Sequence, residues 1–80
     1  MKPFQARAAR AILQLGVRDV AKLADVNPNT VSRVEQDDVG IRGPNAVTVQ
    51  AIRRVYEERG IVFLEEGEAR GGGPGVRMDK

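Results

Sequence analysis

The segment Asn27-Pro-Asn-Thr-Val-Ser-Arg-Val-Glu-Gln36 holds a dense set of side chains suited to directional hydrogen bonding. An Asn amide matches the N6/N7 edge of adenine, an Arg guanidinium matches O6 and N7 of guanine, and Thr offers a hydroxyl and a methyl group. At helical spacing Val31 and Val34 turn to one side. Pro28, Asn29, Thr30, Ser32, Arg33 and Gln36 stand on or near the other. Asn29 and Arg33 are therefore expected to read base edges. The bland alternative is a surface helix whose opening residues do capping chemistry and nothing more. Asn27 is a good N-cap, and Pro28 fits the first helical position. Asn27 is expected to cap this helix and, in addition, to reach a phosphate.

Cationic side chains surround that segment. Residues 1–36 carry six Lys/Arg against three Asp/Glu, while residues 37–80 carry seven against eight. A basic half beside a nearly balanced one suits a domain that meets a polyanion with one side. Arg7, Arg18, Lys22 and Arg42 are expected at phosphates, either as contacts that fix register or as plain solvated charges. Arg53, Arg54 and Arg59 share a helix with Glu57 and Glu58 and read as solubilising. Arg10 and Glu35 sit near apolar neighbours and are expected to form a partly buried ion pair between the first and third helices.

Other chemistries find little support. The chain has no Cys and no His, which removes thiolate metal sites, disulfides and the usual general base. A non-enzymatic protein without metal or cofactor is expected. Gly71-Gly-Gly-Pro-Gly75 lacks the Lys-Ser/Thr ending and the strand–loop–helix context of a phosphate-binding loop, and reads as a turn or linker.

The elements that position these residues follow from apolar spacing. Helix 1 is expected from about Pro3 to Gln14, with Phe4, Ala8, Ala11, Ile12 and Leu15 as an inward stripe, Gln5, Arg7 and Arg10 as its long polar members, and Gly16 as its break. Helix 2 is expected from Val17 to Ala24, with Asp25-Val26 as the turn and helix 3 from Pro28 to about Gln36. Val17, Val20, Ala21, Leu23, Ala24, Val26, Val31 and Val34 are expected to face one core. Asp37 to Gly43 reads as a turn-rich loop, and Asn45 as the cap of a helix over Ala46–Arg59 that buries Val49, Ile52, Val55 and Tyr56 and ends at Gly60. Ile61-Val-Phe-Leu64 is rich in strand formers and is expected either to pair with Val76-Arg-Met78 as a hairpin or to lead into a flexible tail. Two stretches result: a DNA-binding domain over residues 1–60, with its helix–turn–helix at 17–36, and a C-terminal hairpin or tail over residues 61–80.

Over residues 5–56 the chain resembles the phage-repressor and Cro-like helix-turn-helix regulators, also called the xenobiotic-response-element type. The resemblance runs through Arg10-Ala-Ile-Leu-Gln-Leu15, Val20-Ala21, Leu23-Ala24, Val26, Thr30-Val-Ser-Arg-Val-Glu-Gln36 and Pro44-Asn45. The C-terminal part, from Ala51 to Leu64 and then Gly-Gly-Gly-Pro-Gly-Val-Arg-Met78, is similar to a small single-domain bacterial subgroup. This resemblance implies a mostly α, four- to five-helix lambda-repressor-like DNA-binding domain, with or without a C-terminal β-hairpin. It places Pro28, Asn29 and Arg33 at major-groove base edges with Thr30 and Ser32 beside them, puts Gln36 at a phosphate, and makes Arg10 and Glu35 a structural ion pair. Three departures from the pattern involve four positions. Gly16 and Val17 stand where Ser or Thr followed by Gln is usual, Asp25 replaces the Gly of the turn, and Pro28 replaces Gln, Arg or Lys.

The leading expectation is a sequence-specific transcriptional regulator, a repressor or activator, bound as a homodimer to double-stranded DNA with two-fold-related half-sites. Helix 3 enters the major groove, while helix N-termini and Arg/Lys side chains hold phosphates. Ile61, Phe63, Val76 and Met78 are expected to supply dimerisation through the hairpin, the alternative being helix 4 and its preceding loop. The departures also motivate a second reading: an antitoxin or adaptor that keeps the fold, binds a protein partner and makes weak or no contact with DNA. No apolar run approaches the ~18 residues of a membrane span, and the N-terminus lacks a signal-like apolar stretch. A cytoplasmic protein, nucleoid-associated when bound to DNA, is expected.

Overall fold

The computed structural model describes residues 1–36, 45–65 and 73–79. Its elements run α1 (Pro3–Leu13), α2 (Val17–Ala24), α3 (Pro28–Val34), α4 (Ala46–Glu58), β1 (Ile61–Leu64) and β2 (Gly75–Met78). The architecture is mostly helical, with a small antiparallel hairpin closing the chain. The expected loop over Asp37–Gly43, Arg42 included, lies outside the described residues.

Each helix has an identifiable start. Pro3 and Pro28 occupy first-turn positions of α1 and α3, where a missing N–H breaks no intrahelical bond. The Asn27 side chain accepts from Asn29 N at 2.8 Å, and Asn45 accepts from Thr48 N at 2.8 Å, so both Asn caps form. Gly16 has no side chain to cap α2. The Asp19 carboxylate reaches back instead and accepts from Gly16 N at 2.8 Å, half of a capping box with its acid favourably placed in the first turn.

The helix ends correct the sequence reading. Gly16 was expected to break α1, yet its φ of −83° is ordinary and it serves as the N-cap of α2. The left-handed turn that stops α1 falls on Gln14, φ 57°. Asp25 takes the same conformation after α2, φ 57° and ψ 48°, doing there what the usual Gly would do. Gly60, at φ 96°, turns the chain from α4 into β1 as expected.

Ala6 and Ala9 of α1, Val20 and Ala21 of α2, Val31 and Val34 of α3, Ile52, Val55 and Tyr56 of α4, and Ile61 and Phe63 of β1 form one core. Of the stripe expected to face inward on α1, Leu15 packs against this core but the rest does not. Phe4, Ala11 and Ile12 are exposed and Ala8 is half-buried, while Gln5, Ala6 and Ala9 are fully buried. Side-chain size does not set the inner face, since Gln5 is buried there beside the two alanines. Leu23, expected in the core, is likewise exposed at 46%.

Gln5 explains how the hairpin attaches. Its Nε2 donates to Leu64 O at 3.0 Å and to Gly75 O at 2.9 Å, and its Oε1 accepts from Lys2 N at 2.7 Å. A wholly buried amide is thus satisfied by both strands and by the start of α1, which is what makes its burial tolerable. Leu64 pairs with Gly75, Phe63 with Val76, Val62 with Arg77 and Ile61 with Met78. Phe63 lies at a tilt to Tyr56, ring centroids 6.3 Å apart, and the Arg53 guanidinium stands 5.1 Å from its centroid. A two-stranded hairpin is marginal by itself; here the helices complete it. Ile61 and Phe63 therefore share the helices' core, and Val76 packs against it. Among the described residues no helix is long and apolar enough to cross a membrane.

Candidate functional site

The site is built on α3, a helix of only seven residues. So short a helix does not hold itself together in water, and its shape comes from three tethers. Val31 and Val34 anchor its inner side in the core. Asn27 closes its N-terminus. Glu35 closes its C-terminus through α1: Arg10 Nε donates to Glu35 Oε2 at 2.7 Å and Arg10 Nη2 to Glu35 Oε1 at 2.9 Å.

This Arg10–Glu35 contact is the two-pronged guanidinium–carboxylate geometry that fixes orientation as well as distance. Glu35 retains 8% side-chain exposure and Arg10 28%. Arg10 Nη1 also donates to Leu15 O at 3.2 Å. The hydrogen bond with Glu35 raises the Arg10 pKa further above its ordinary value, outweighing the cost of burial. Tyr56 lies within the field of the same pair. Burial, with the Glu35 charge adding and Arg10 opposing, pushes its phenol up to about 12. The Tyr56 hydroxyl is buried and has no hydrogen-bond partner among the described residues.

The outward side of α3 presents Pro28, Asn29 and Arg33 exposed, with Gln36 exposed just beyond its end; Thr30 and Ser32 are half-buried between them. Beside its N-terminus, Arg18 and Lys22 of α2 join Asn27, Pro28 and Asn29 around an open depression of ≈ 520 Å³, with Ala21 and Val26 also lining it. The fold thus assembles five residues singled out in the sequence around one depression with an apolar floor and two cations at its side: two from α2 and three from the start of α3. Its cations are exposed, and electrostatic attraction to an oxyanion there extends roughly 8–10 Å at ordinary salt.

Several expectations change once the contacts are seen. Arg7 does not simply reach outward: its Nη1 donates to the backbone carbonyl of Glu35 at the end of α3. The first turn of α3 offers little to a phosphate. Pro28 has no N–H, Asn29 N is bonded to Asn27 Oδ1, and Thr30 N is bonded to Asn27 O at 2.9 Å. Phosphate contacts near that turn must come from side chains. Ile61 and Phe63, expected at a dimer interface, are 2% and 6% exposed and face the chain's own core. Val76 is half-buried against the same core, and of the four expected interface residues only Met78, at 41%, is substantially open.

Gln5 and Asp19 are the supporting residues that sequence reasoning missed. A polar residue three positions after the N-cap is a signal for back-capping at both, and that spacing was available in the sequence. No protein-family model matches the chain, and no curated protein is significantly similar to it.

Proposed function

We propose that this chain is a sequence-specific double-stranded DNA-binding transcriptional regulator of the phage-repressor and Cro-like type, with α2 and α3 as its helix-turn-helix and α3 lying in the major groove. The observation that carries this reading is the outward row Pro28, Asn29 and Arg33 on a short helix tethered at both ends, with Gln36 just beyond it and exposed Arg18 and Lys22 beside it. A reading element must be rigid, because ordering a loose helix on binding subtracts from affinity. Asn29 and Arg33 pair with base edges, Thr30 and Ser32 make van der Waals or hydroxyl contacts beside them, and Arg18, Lys22, Asn27 and Gln36 take phosphates. With its Oδ1 committed to the cap, Asn27 offers its amide N–H to the phosphate. One such surface makes few contacts, so a homodimer on a two-fold-related site supplies the rest.

Arg33→Ala tests the reading at its most specific point. On a duplex enriched by the wild-type chain from a randomised pool, the variant is expected to lose about 1–3 kcal/mol of binding, with random-duplex affinity nearly unchanged. Equal loss on both duplexes assigns Arg33 to a phosphate instead.

A second reading, an antitoxin or adaptor that binds a protein, draws support from the outward apolar residues of α1, Phe4 at 39% and Ile12 at 41% exposure, one turn either side of Ala8. It predicts retention on a protein partner and no enrichment of any duplex.

A further inference from the structure

Two arginines of α1 converge on one residue of α3. Arg7 and Arg10 are three apart and so share a helix face. Arg10 grips the Glu35 carboxylate with two hydrogen bonds, while Arg7 donates to the Glu35 main-chain carbonyl. Glu35 is the C-cap of α3, where the last carbonyls have no partner inside the helix. A cation donating there also meets the negative end of the helix dipole. The two grips are not redundant. Arg10 locates the side chain and leaves the terminal peptide unit held only by its own long bond from Gln36 N to Arg33 O, whereas Arg7 grips the carbonyl of that unit directly.

We infer that Arg7 is a positioning residue: with Arg10 it clamps the C-terminal end of α3 and so sets the direction in which Arg33 and Gln36 project. Arg33 lies two residues before the clamped carbonyl and Gln36 one residue after it, and Gln36 N is bonded to Arg33 O at 3.3 Å. Rotation of the Glu35 peptide therefore moves Gln36 directly and breaks the bond that holds the Arg33 carbonyl, loosening the last turn that carries Arg33. A plain phosphate contact would act differently, adding charge to the interface without ordering α3. The clamp itself is a property of the folded chain; its consequence for base reading rests on the function proposed above.

The test compares Arg7→Gln, Arg7→Lys and Arg18→Gln with the wild-type full chain by two independent readouts. Amide hydrogen exchange at Ser32–Gln36, without DNA, reads the clamp. Arg7→Gln is expected to speed exchange there about tenfold, Arg7→Lys to restore much of the protection because an ammonium also donates to a carbonyl, and Arg18→Gln to leave it unchanged. The salt dependence of binding to the enriched duplex reads the role. Removing a phosphate contact, as in Arg18→Gln, flattens the slope of log K against log salt by about 0.9 per chain. For Arg7→Gln a five- to tenfold loss of affinity is expected (roughly the effect of one neutral-acceptor hydrogen bond), with the slope kept. Unchanged exchange together with a flattened slope overturns the inference and makes Arg7 a phosphate contact. If the wild-type chain enriches no duplex, the functional reading fails, and the exchange data still decide whether Arg7 clamps α3.

Discussion

At the scale of single residues, Glu35 connects the most structure. Its carboxylate meets Arg10, its carbonyl meets Arg7, and its charge contributes to the field at Tyr56. Glu35→Ala leaves Arg10 facing a half-buried site without its counter-ion. Breaking a fully buried pair costs about 3–5 kcal/mol; because Arg10 keeps over a quarter of its surface in water, about 2–3 kcal/mol is expected here, read by urea denaturation. Tyr56 gives a second, independent handle. Its phenol titrates near 10 in the unfolded chain and about 12 in the folded one. The folded state thus holds the proton more tightly. The resulting stabilisation is complete below about pH 10 and is lost as pH rises through about 12. Tyr56→Phe should remove that alkaline slope. At pH 7 it should also raise stability by about 1 kcal/mol, because it deletes a buried hydroxyl that has no partner among the described residues. A loss of stability at pH 7 would show that the hydroxyl is satisfied.

At the scale of elements, the sequence was legible wherever a local signal sufficed. Asn27-Pro28 and Asn45 announced the starts of α3 and α4, Gly60 announced the turn into β1, and the strand-former run of 61–64 announced the hairpin. The inner face of α1 was not legible. Its large apolar residues, Phe4 and Ile12, suggested one stripe by spacing, but the helix buries Gln5, Ala6 and Ala9. The hairpin decides that choice at Gln5, which bonds both strands, and apolar periodicity does not encode a tertiary hydrogen bond. Arg10 and Glu35 were legible as a pair, whereas Arg7 was not: a main-chain acceptor leaves no trace in residue type. The left-handed turn on Gln14 was missed for a similar reason, since Gly favours that conformation and Gly16 drew the expectation, whereas the turn at Asp25 stands where it was expected. Gln14→Gly and Asp25→Gly should each stabilise the fold by about 0.5–1 kcal/mol, as relief of the left-handed cost exceeds the added entropy of the unfolded chain. A rise in melting temperature for each single variant, with the far-ultraviolet circular dichroism unchanged, is the measurement. A fall in either would mean that its side chain makes a stabilising contact larger than the strain.

At the scale of the whole molecule, hairpin and helices act together. Gln5 bonds both strands, Phe63 sits between Tyr56 and Arg53, and β1 supplies Ile61 and Phe63 to the shared core. The helices in turn hold α3 with its polar side outward. The central claim is that this side, with Arg18 and Lys22 beside it, meets the DNA backbone and grooves. Titration of the full chain against a random-sequence duplex at about 50 and about 200 mM salt tests it most directly. With Arg18 and Lys22 each displacing a counter-ion, affinity should fall about tenfold across that range for one chain and about a hundredfold for a dimer. No binding at the lower salt, or binding that does not change between the two, would contradict the claim.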